Sequence, residues 1–462
     1  MRQQGCGHLP MQGTGDMMDR LLGLHQVIRP EVVQQVLDAT GRRNPRACCL
    51  THEVILWVVL AMGILTDLPI RQVFKHARRL RCGEATPRRS SLCEARKRLG
   101  VAPVRELFQR VVRPLASPDT PGAFYKGWRL MAVDGTLLDV PDSAANAATF
   151  GRPTGGRGDG AFPQIRKLSL VEVGTHVEVA LVIKPCHRGE TSMVDGLLRH
   201  LQPGMLLLWD RNFFSYSLWK KLVGHGLHIL ARVKGNLVLK PIRSLADGSY
   251  LAKIYPKPYD RDQDRHGIVV RVIRYRLDDP QRVGHGEAHT LITTLLDVDA
   301  YPGVELILLY HERWEEELVF DEQKTHQDPR RPTKPAALRS ETPAGVVQEV
   351  YALSLGHFVT RALMAEAARP LGVDTDRISF LGALQILQCR LPECDSRTPE
   401  SFAEWYARLL WEIGQEQIEP RRNRINPRVV KRKMSKFKKK RPMHRPVPPL
   451  KKTFAETVVM LI

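Results

Sequence analysis

Three apolar segments constrain the fold more than any other feature of the chain. "WRLMAVDGT" (128–136) is an apolar run that ends at Asp134. "RKLSLVEVGTHVEVALVIKP" (166–185) alternates apolar and polar residues in two arms, and Gly174-Thr175 between them marks a hairpin turn. "GMLLLWDRNF" (204–213) is a second buried-type strand, and it ends at Asp210. An amphipathic helix, "SYSLWKKLVGHG", and another strand, "HILARVK", follow directly. Strand, hairpin, strand, helix, strand is an α/β order, and it predicts a mixed sheet.

The flanking regions read differently. Residues 1–24 have the character of a flexible leader, and 25–126 read as helical. "RPEVVQQVLDATGR" and "THEVILWVVLAMGILTD" carry 3.6-type spacing and end at glycine or a polar cluster. "TPRRSSLCEARKRLGVAPVRELFQRVV" places helices on either side of a glycine break. That arrangement is compatible with a DNA-reading helix-turn-helix, whose basic surface would be Arg88, Arg89, Arg96, Lys97 and Arg98. Residues 127–231 hold the first part of the sheet. Within 232–301, "NLVLKPI", "GIVVRVIRYRL" and "HTLITTLLD" are strand-like with no helix between them, so this region is expected to be a β-rich insertion. Helical periodicity returns over 302–369 and continues through 370–419.

At 462 residues the chain is long enough for two to four domains, and an apolar share of 43% is that of a folded protein. The longest apolar run, Val54–Leu65, falls short of the roughly 20 residues that span a bilayer. No secretion signal opens the chain, and its eight cysteines show no zinc-type spacing, so a cytoplasmic protein with reduced thiols is expected. Cys389 and Cys394 are the only suggestive couple. The net charge of +21 is concentrated: Pro420–Thr453 holds fifteen Lys/Arg, no Asp/Glu, six prolines and one aromatic residue. Such a segment (within a basic tail, 420–462) cannot bury enough apolar surface to fold alone. It is expected to be a mobile cationic arm for a polyanion, nucleic acid being the commonest, or else a solvated tail.

Against that charge, "YHERWEEELVFDEQKTH" (310–326) packs six carboxylates into one helical stretch. A helical residue advances about 100°, which puts Arg313 and Asp321 about 40°, and Tyr310 and Lys324 about 20°, from Glu317. Glu312, Glu315, Glu316 and Glu322 point about 100° or more away and read as a solvated face. Asp321 is a potential ion-pair partner of Lys324, and His311 points off the stripe. Glu317 is therefore the unusual acid. Asp134 and Asp210 are the other candidates, because ligands of α/β sheets gather where strands end. Asp139 and Asp142 read as turn residues. "GRPTGGRGDG" (151–160) precedes a strand rather than opening a helix, so it is a connector and no nucleotide fingerprint. Arg152 and Arg157 within it are in reach of DNA only if that loop lies near the site.

Tyr310, Arg313, Glu317 and Lys324 match Y-x2-R-x3-E-x6-K at every spacing. With "VDGTLLDVPDS" and "LLLWDRNFFSYSLW" as first and second aspartate motifs, the chain resembles the DDE-type transposases of the insertion-sequence family number four. "GAFPQIRKLSLVEVGTH", "LRSETPAGVVQEVYAL", "RPEVVQQVLDATGRR" and "SSLCEARKRLG" resemble other parts of that family, so the likeness spans about residues 25–390 and leaves the basic tail outside. The resemblance implies an RNase H-like mixed-sheet core interrupted by a β-rich insertion, with a helical N-terminal domain; the basic C-terminal tail is read from composition alone.

It further implies that Asp134, Asp210 and Glu317 are catalytic and hold two Mg²⁺ or Mn²⁺ ions, the pair suited to phosphodiester chemistry. Arg313 and Lys324 would neutralise phosphates, and Tyr310 would stack on or hydrogen-bond to the transposon end. The implied reaction is nicking, attack by the freed 3′-OH and strand transfer. The implied partners are double-stranded DNA (terminal inverted repeats and target), with a dimer in the synaptic complex at the bacterial nucleoid. A catalytically silent DNA-binding regulator and a metal-dependent nuclease without strand transfer are the alternatives.

Overall fold

The computed structural model describes residues 18–43, 49–78, 85–155, 158–280, 285–328, 338–394, 398–419 and 452–461. The N-terminal third is helical: α1 (Pro30–Ala39), α2 (His52–Ile64), α3 (Ile70–Ala77), α4 (Arg89–Leu99) and α5 (Ala102–Val111). A 3-10 helix at Asp19–Gln26 precedes them and buries Leu21 and Leu24. Residues 19–24 of the expected flexible leader are thus helical, because these leucines have a core to enter; residues 1–17 lie outside the described residues. α4 and α5 flank Gly100 as expected, but Arg96 is not part of an open basic surface. It bonds Gln348, Glu349 and the Gly345 carbonyl, while Lys97 pairs with Glu94.

The sheet and its helices follow. In chain order they are β1 (Phe124–Tyr125), β2 (Trp128–Asp139), α6 (Ala144–Phe150), β3 (Thr154–Gly155), β4 (Gly158–Asp159), β5 (Gln164–Glu172), β6 (Val177–Pro185), β7 (Met205–Trp209), α7 (Tyr216–Gly224) and β8 (His228–Arg232). Then come β9 (Arg243–Ser244), β10 (Tyr250–Ile254), α8 (Pro258–Asp262), β11 (Ile268–Leu277) and β12 (His289–Thr293). Last are α9 (Gly303–His311), α10 (Glu315–Asp321), α11 (Pro343–Ala368), α12 (Phe380–Arg390), α13 (Pro399–Gln415), α14 (Phe454–Thr457) and β13 (Val458–Met460).

The main sheet has eleven strands in the order β6-β5-β2-β7-β8-β12-β11-β10-β9, with β1 on β2 and β13 on β11. β6, β5 and β2 are antiparallel neighbours, while β2-β7 and β7-β8 are parallel. That is an RNase H-like core. The β-rich 232–301 region joins this sheet: β12 pairs antiparallel with β8, so its strands extend it. "NLVLKPI" forms no strand, and the short α8 lies where no helix was expected. Apolar periodicity marks strands but carries no record of which neighbour they will find.

Alternation along the strands sorts the two faces. Met131, Val133, Leu207, Trp209, Ile229 and Ala231 enter the large cluster that also holds residues of α2, α7 and α11. Leu130, Ala132, Leu206, Leu208 and Leu230 enter a second cluster with Leu306, Ile307, Leu309 and Tyr310 of α9. α2 and α11 cross closely: a Cβ at Gly63 would lie 1.9 Å from the Ala352 carbonyl oxygen, so any larger residue there would force the helices apart. The N-terminal helices thus share a core with the sheet. Ser and Thr residues start the covering helices, as where Thr342 accepts from the Gly345 amide at the head of α11.

The last described segment corrects the basic-tail expectation. Residues 420–451 lie outside the described residues, but 452–461 return to the sheet, where Val458, Val459 and Met460 pair with Leu277, Arg276 and Tyr275.

Candidate active site

The parallel register of β2, β7 and β8 aligns Val133, Trp209 and Ala231 in one row. The next residues in the chain are Asp134 and Arg232, on β2 and β8, and Asp210, just past the end of β7. Since Ala132, Leu208 and Leu230 face α9, side-chain alternation turns all three of these polar residues to that same face. Neighbouring strands lie about 4.8 Å apart, so two carboxylates and a guanidinium emerge side by side. Asp134 is not the end of its strand, because β2 runs on to Asp139 against β5. What ends at Asp134 is the parallel pairing to β7. Asp139 is accordingly a strand residue that accepts from Gln164, and Asp142 pairs with Arg152. Arg157 lies outside the described residues.

Asp134 is strongly desolvated, and its carboxyl is pushed up to about 6. Burial is the main cause; Glu190 and Asp210 add to it, while the Gly135 amide and the Arg313 guanidinium oppose it. A desolvated carboxylate near a second one needs a cation, and the Arg313 guanidinium supplies positive charge to Asp134. Arg313 is only 7% exposed and lies 6.0 Å from the centre of the Tyr310 ring. Tyr310, 4% exposed, donates to the Trp209 carbonyl at 3.4 Å, and burial raises its hydroxyl to about 12. The Tyr310 ring lies in the core that α9 shares with the sheet, and its hydroxyl faces the end of β7.

The stretch after α9 is not one regular helix. Glu312–Trp314 form a 3-10 turn, α10 follows, and Glu322–Gln327 form a π-helix. Each irregularity resets the phase, so a single 100° step does not place every side chain. Glu317 is exposed on α10, which packs against β2. Among the described residues no three Asp, Glu, His or Cys side chains converge into a metal-binding group. The structure therefore unites Asp134 with Asp210 and leaves Glu317 on the adjacent helix.

Glu322 departs furthest from expectation. It is 2% exposed instead of solvated, held by Arg361 and by His357 at 2.9 Å, with His176 at 3.6 Å. Burial alone would raise its carboxyl, but Arg361 and the two histidines hold it well below the usual carboxylate range. Gln323 accepts from Lys167 at 2.5 Å and donates to Glu178 at 3.0 Å, and Gln327 donates to the Gly63 and Leu353 carbonyls. Lys324 donates to Thr136, two residues beyond Asp134 on the same face of β2. Asp321 lies 3.6 Å from His326 instead of pairing with Lys324. The π turn lets successive polar residues reach α11, β5 and β2 at once. Glu312 is half-buried, and the side chains of Glu315 and Glu316 lie outside the described ones.

Arg232 escaped the sequence reading. Its signal is the same as that of Asp210, a polar residue closing an apolar run, but a cation at a strand end is no metal ligand and does not stand out as one. It is steadied by the His289 ring nitrogen at 2.8 Å.

An RNase H-like sheet with Asp134 and Asp210 at adjacent strands is the arrangement expected of a DDE-type transposase. Comparison with known proteins agrees. The family described as "Insertion element 4 transposase N-terminal" matches residues 18–109, and "Transposase DDE domain" matches 126–352. The transposase InsG for insertion sequence element IS4 of Escherichia coli (strain K12) is 27% identical over 436 residues, 93% of each chain. A piggyBac transposase in a synaptic complex with hairpin DNA covers 86% of each chain at 13% identity and a TM-score of 0.46. The chain belongs to the IS4 family of DDE-type transposases.

Proposed function

We propose that this transposase cleaves insertion-sequence ends and joins them to target DNA by two-metal-ion, cut-and-paste chemistry. The observation that carries this reading is the row Asp134–Asp210–Arg232 beneath α9, with Arg313 and Lys324 arriving from the following turns. The donor set fits a hard divalent cation. Mg²⁺ keeps several waters and needs only one or two protein carboxylates, which Asp134 and Asp210 supply, with Glu317 on α10 as the third ligand. Bound there, two ions would activate the attacking hydroxyl and stabilise the leaving oxygen.

The chain's own groups do the rest. Asp134 and Asp210 fix the site to the rigid centre of the sheet. Arg313 offsets the paired carboxylates and, with Lys324 and Arg232, presents positive charge to a phosphate. Tyr310 closes the floor against the end of β7. The partners are inverted-repeat ends and target duplex, the active complex is a dimer that synapses two ends, and the work is done in the bacterial cytoplasm at the nucleoid. Residues 25–126 are read as the DNA-binding helical part, 127–231 and 302–369 as the two parts of the catalytic core.

The experiment is to incubate purified protein and Mg²⁺ with duplexes carrying the element's terminal repeats, together with a target plasmid. Nicks at the repeat boundary followed by joined products are expected. Nicks without joining would leave a nuclease, and binding without nicks a regulator.

A further inference from the structure

The C-terminal segment 452–461 lies outside both matched family regions yet reaches the helix that leads into the site. Lys452 follows the basic stretch, and Thr453 caps α14 in a reciprocal box with Glu456. The chain then runs as β13 along the edge of β11 beyond the end of β10. The Asp278 amide donates to the Thr457 carbonyl at 2.7 Å, and the Leu461 amide to the Arg274 carbonyl at 2.8 Å, extending the pairing at both ends. Thr457 is fully buried.

From this edge the side chains turn onto α9. The Phe454 ring centre lies 3.6 Å from that of His311, the last residue of α9. Met460 closes on the first residue, where a Cβ at Gly303 would lie 3.0 Å from its Cε. Phe454, Val458 and Met460 pack on the cluster that contains Leu306, Ile307, Leu309 and Tyr310. One segment therefore touches α9 at both ends, about 12 Å apart. A nine-residue helix has little rigidity of its own, and α9 lacks a side-chain N-cap. Its start is otherwise held by Asp247, which accepts from the Gly303 amide at 2.8 Å and pairs with the buried Arg271.

We propose that residues 452–461 form a strap that fixes the placement of α9, with Phe454 as a positioning residue for Tyr310 and Arg313 over Asp134 and Asp210. The consequence for catalysis rests on the function proposed above; the effect on α9 does not. Phe454 touches His311, which stands between Tyr310 and Arg313 in the chain. Displacing it shifts the turn that delivers the guanidinium while leaving the aspartate strands in place. The strap also gives the basic stretch 420–451 an anchored attachment on its C-terminal side.

The test compares full-length wild type, Phe454→Ala and Phe454→Tyr. Amide hydrogen exchange is measured without DNA or metal, and cleavage of terminal-repeat duplex is measured at saturating Mg²⁺. For Phe454→Ala, exchange should rise over 303–311 and stay unchanged in β2 and β7. Its kcat should fall between about tenfold and a hundredfold, while KM and duplex affinity stay within about twofold. Phe454→Tyr should restore both. Unchanged exchange in α9, or a rise spread evenly over the sheet with a matching fall in melting temperature, would overturn the strap. If wild type fails to cleave while α9 exchange still depends on Phe454, the strap stands and the proposed function falls.

Discussion

Asp134 carries the tension of the site in a single side chain. Burial pushes its carboxyl up to about 6 in the folded chain, against 3.8 for an ordinary aspartate. Below about 3.8 both folded and unfolded chains hold the proton. Between the two values only the folded chain does, so stability is lost as pH rises through that window. The loss amounts to about 1–3 kcal/mol by pH 8, allowing for the part of the group that solvent still reaches. Asp134→Asn should therefore raise the melting temperature of the metal-free protein at pH 8 by a few degrees, with the gain gone at pH 4. Thermal melts at the two pH values check this, and equal gains at both would contradict it. Arg313→Ala removes the opposing cation. It should depress cleavage without rescue by excess Mg²⁺, measured as rate against metal concentration, because its proposed partner is a phosphate. Both aspartates were legible in the sequence as polar residues closing apolar runs. That Asp134 lies within a longer strand was not, since the polar residues beyond it resemble a turn until β5 pairs with them.

Among the elements, the π turn after α10 shows where periodicity stops being informative. Local spacing put Glu322 on a solvated face, yet its partners Arg361, His357 and His176 lie far off in sequence and meet only when α11 and the β5–β6 hairpin close on it. A regular helix cannot serve Glu322, Gln323, Lys324 and Gln327 with separate partners at once; a widened turn can. Breaking the ion pair from one side leaves Arg361 buried with its charge less well met. Glu322→Gln should thus cost about 3–5 kcal/mol. Gln323→Ala should cost about 1–3 kcal/mol by depriving Lys167 and Glu178 of a partner. Denaturant unfolding of each variant checks the order. Gln323→Ala costing as much as Glu322→Gln would mean that the ion pair is not the principal anchor. The Y-x2-R-x3-E-x6-K spacing remained readable through these irregularities because it is a pattern of residues, not of angles.

Across the whole molecule, the succession of core elements and the mixed sheet were legible in the sequence, while the order of strands within the sheet and the merging of the 232–301 strands into it were not. Hydrophobic pattern names strands and leaves their edges unassigned. The same holds for 452–461, whose few apolar residues are too short a signal to reveal a strand. The charge of the basic segment, by contrast, needs no fold to be read. Replacing 420–451 by a neutral flexible linker, with the strap kept, should weaken binding to specific and random duplex alike. It should also flatten the slope of log affinity against log salt, measured by titration at several salt concentrations. Lost discrimination between the two duplexes would mean that the segment reads sequence. The central claim is that Asp134, Asp210 and Glu317 act together on DNA held by the rest of the chain. Its most direct test measures strand cleavage and duplex affinity side by side for Asp134→Asn, Asp210→Asn and Glu317→Gln in Mg²⁺. All three should lose cleavage by at least about a hundredfold while binding the terminal-repeat duplex nearly as wild type does. Wild-type cleavage by any one of them would contradict it, and for Glu317 would leave the aspartate pair as the whole of the metal site.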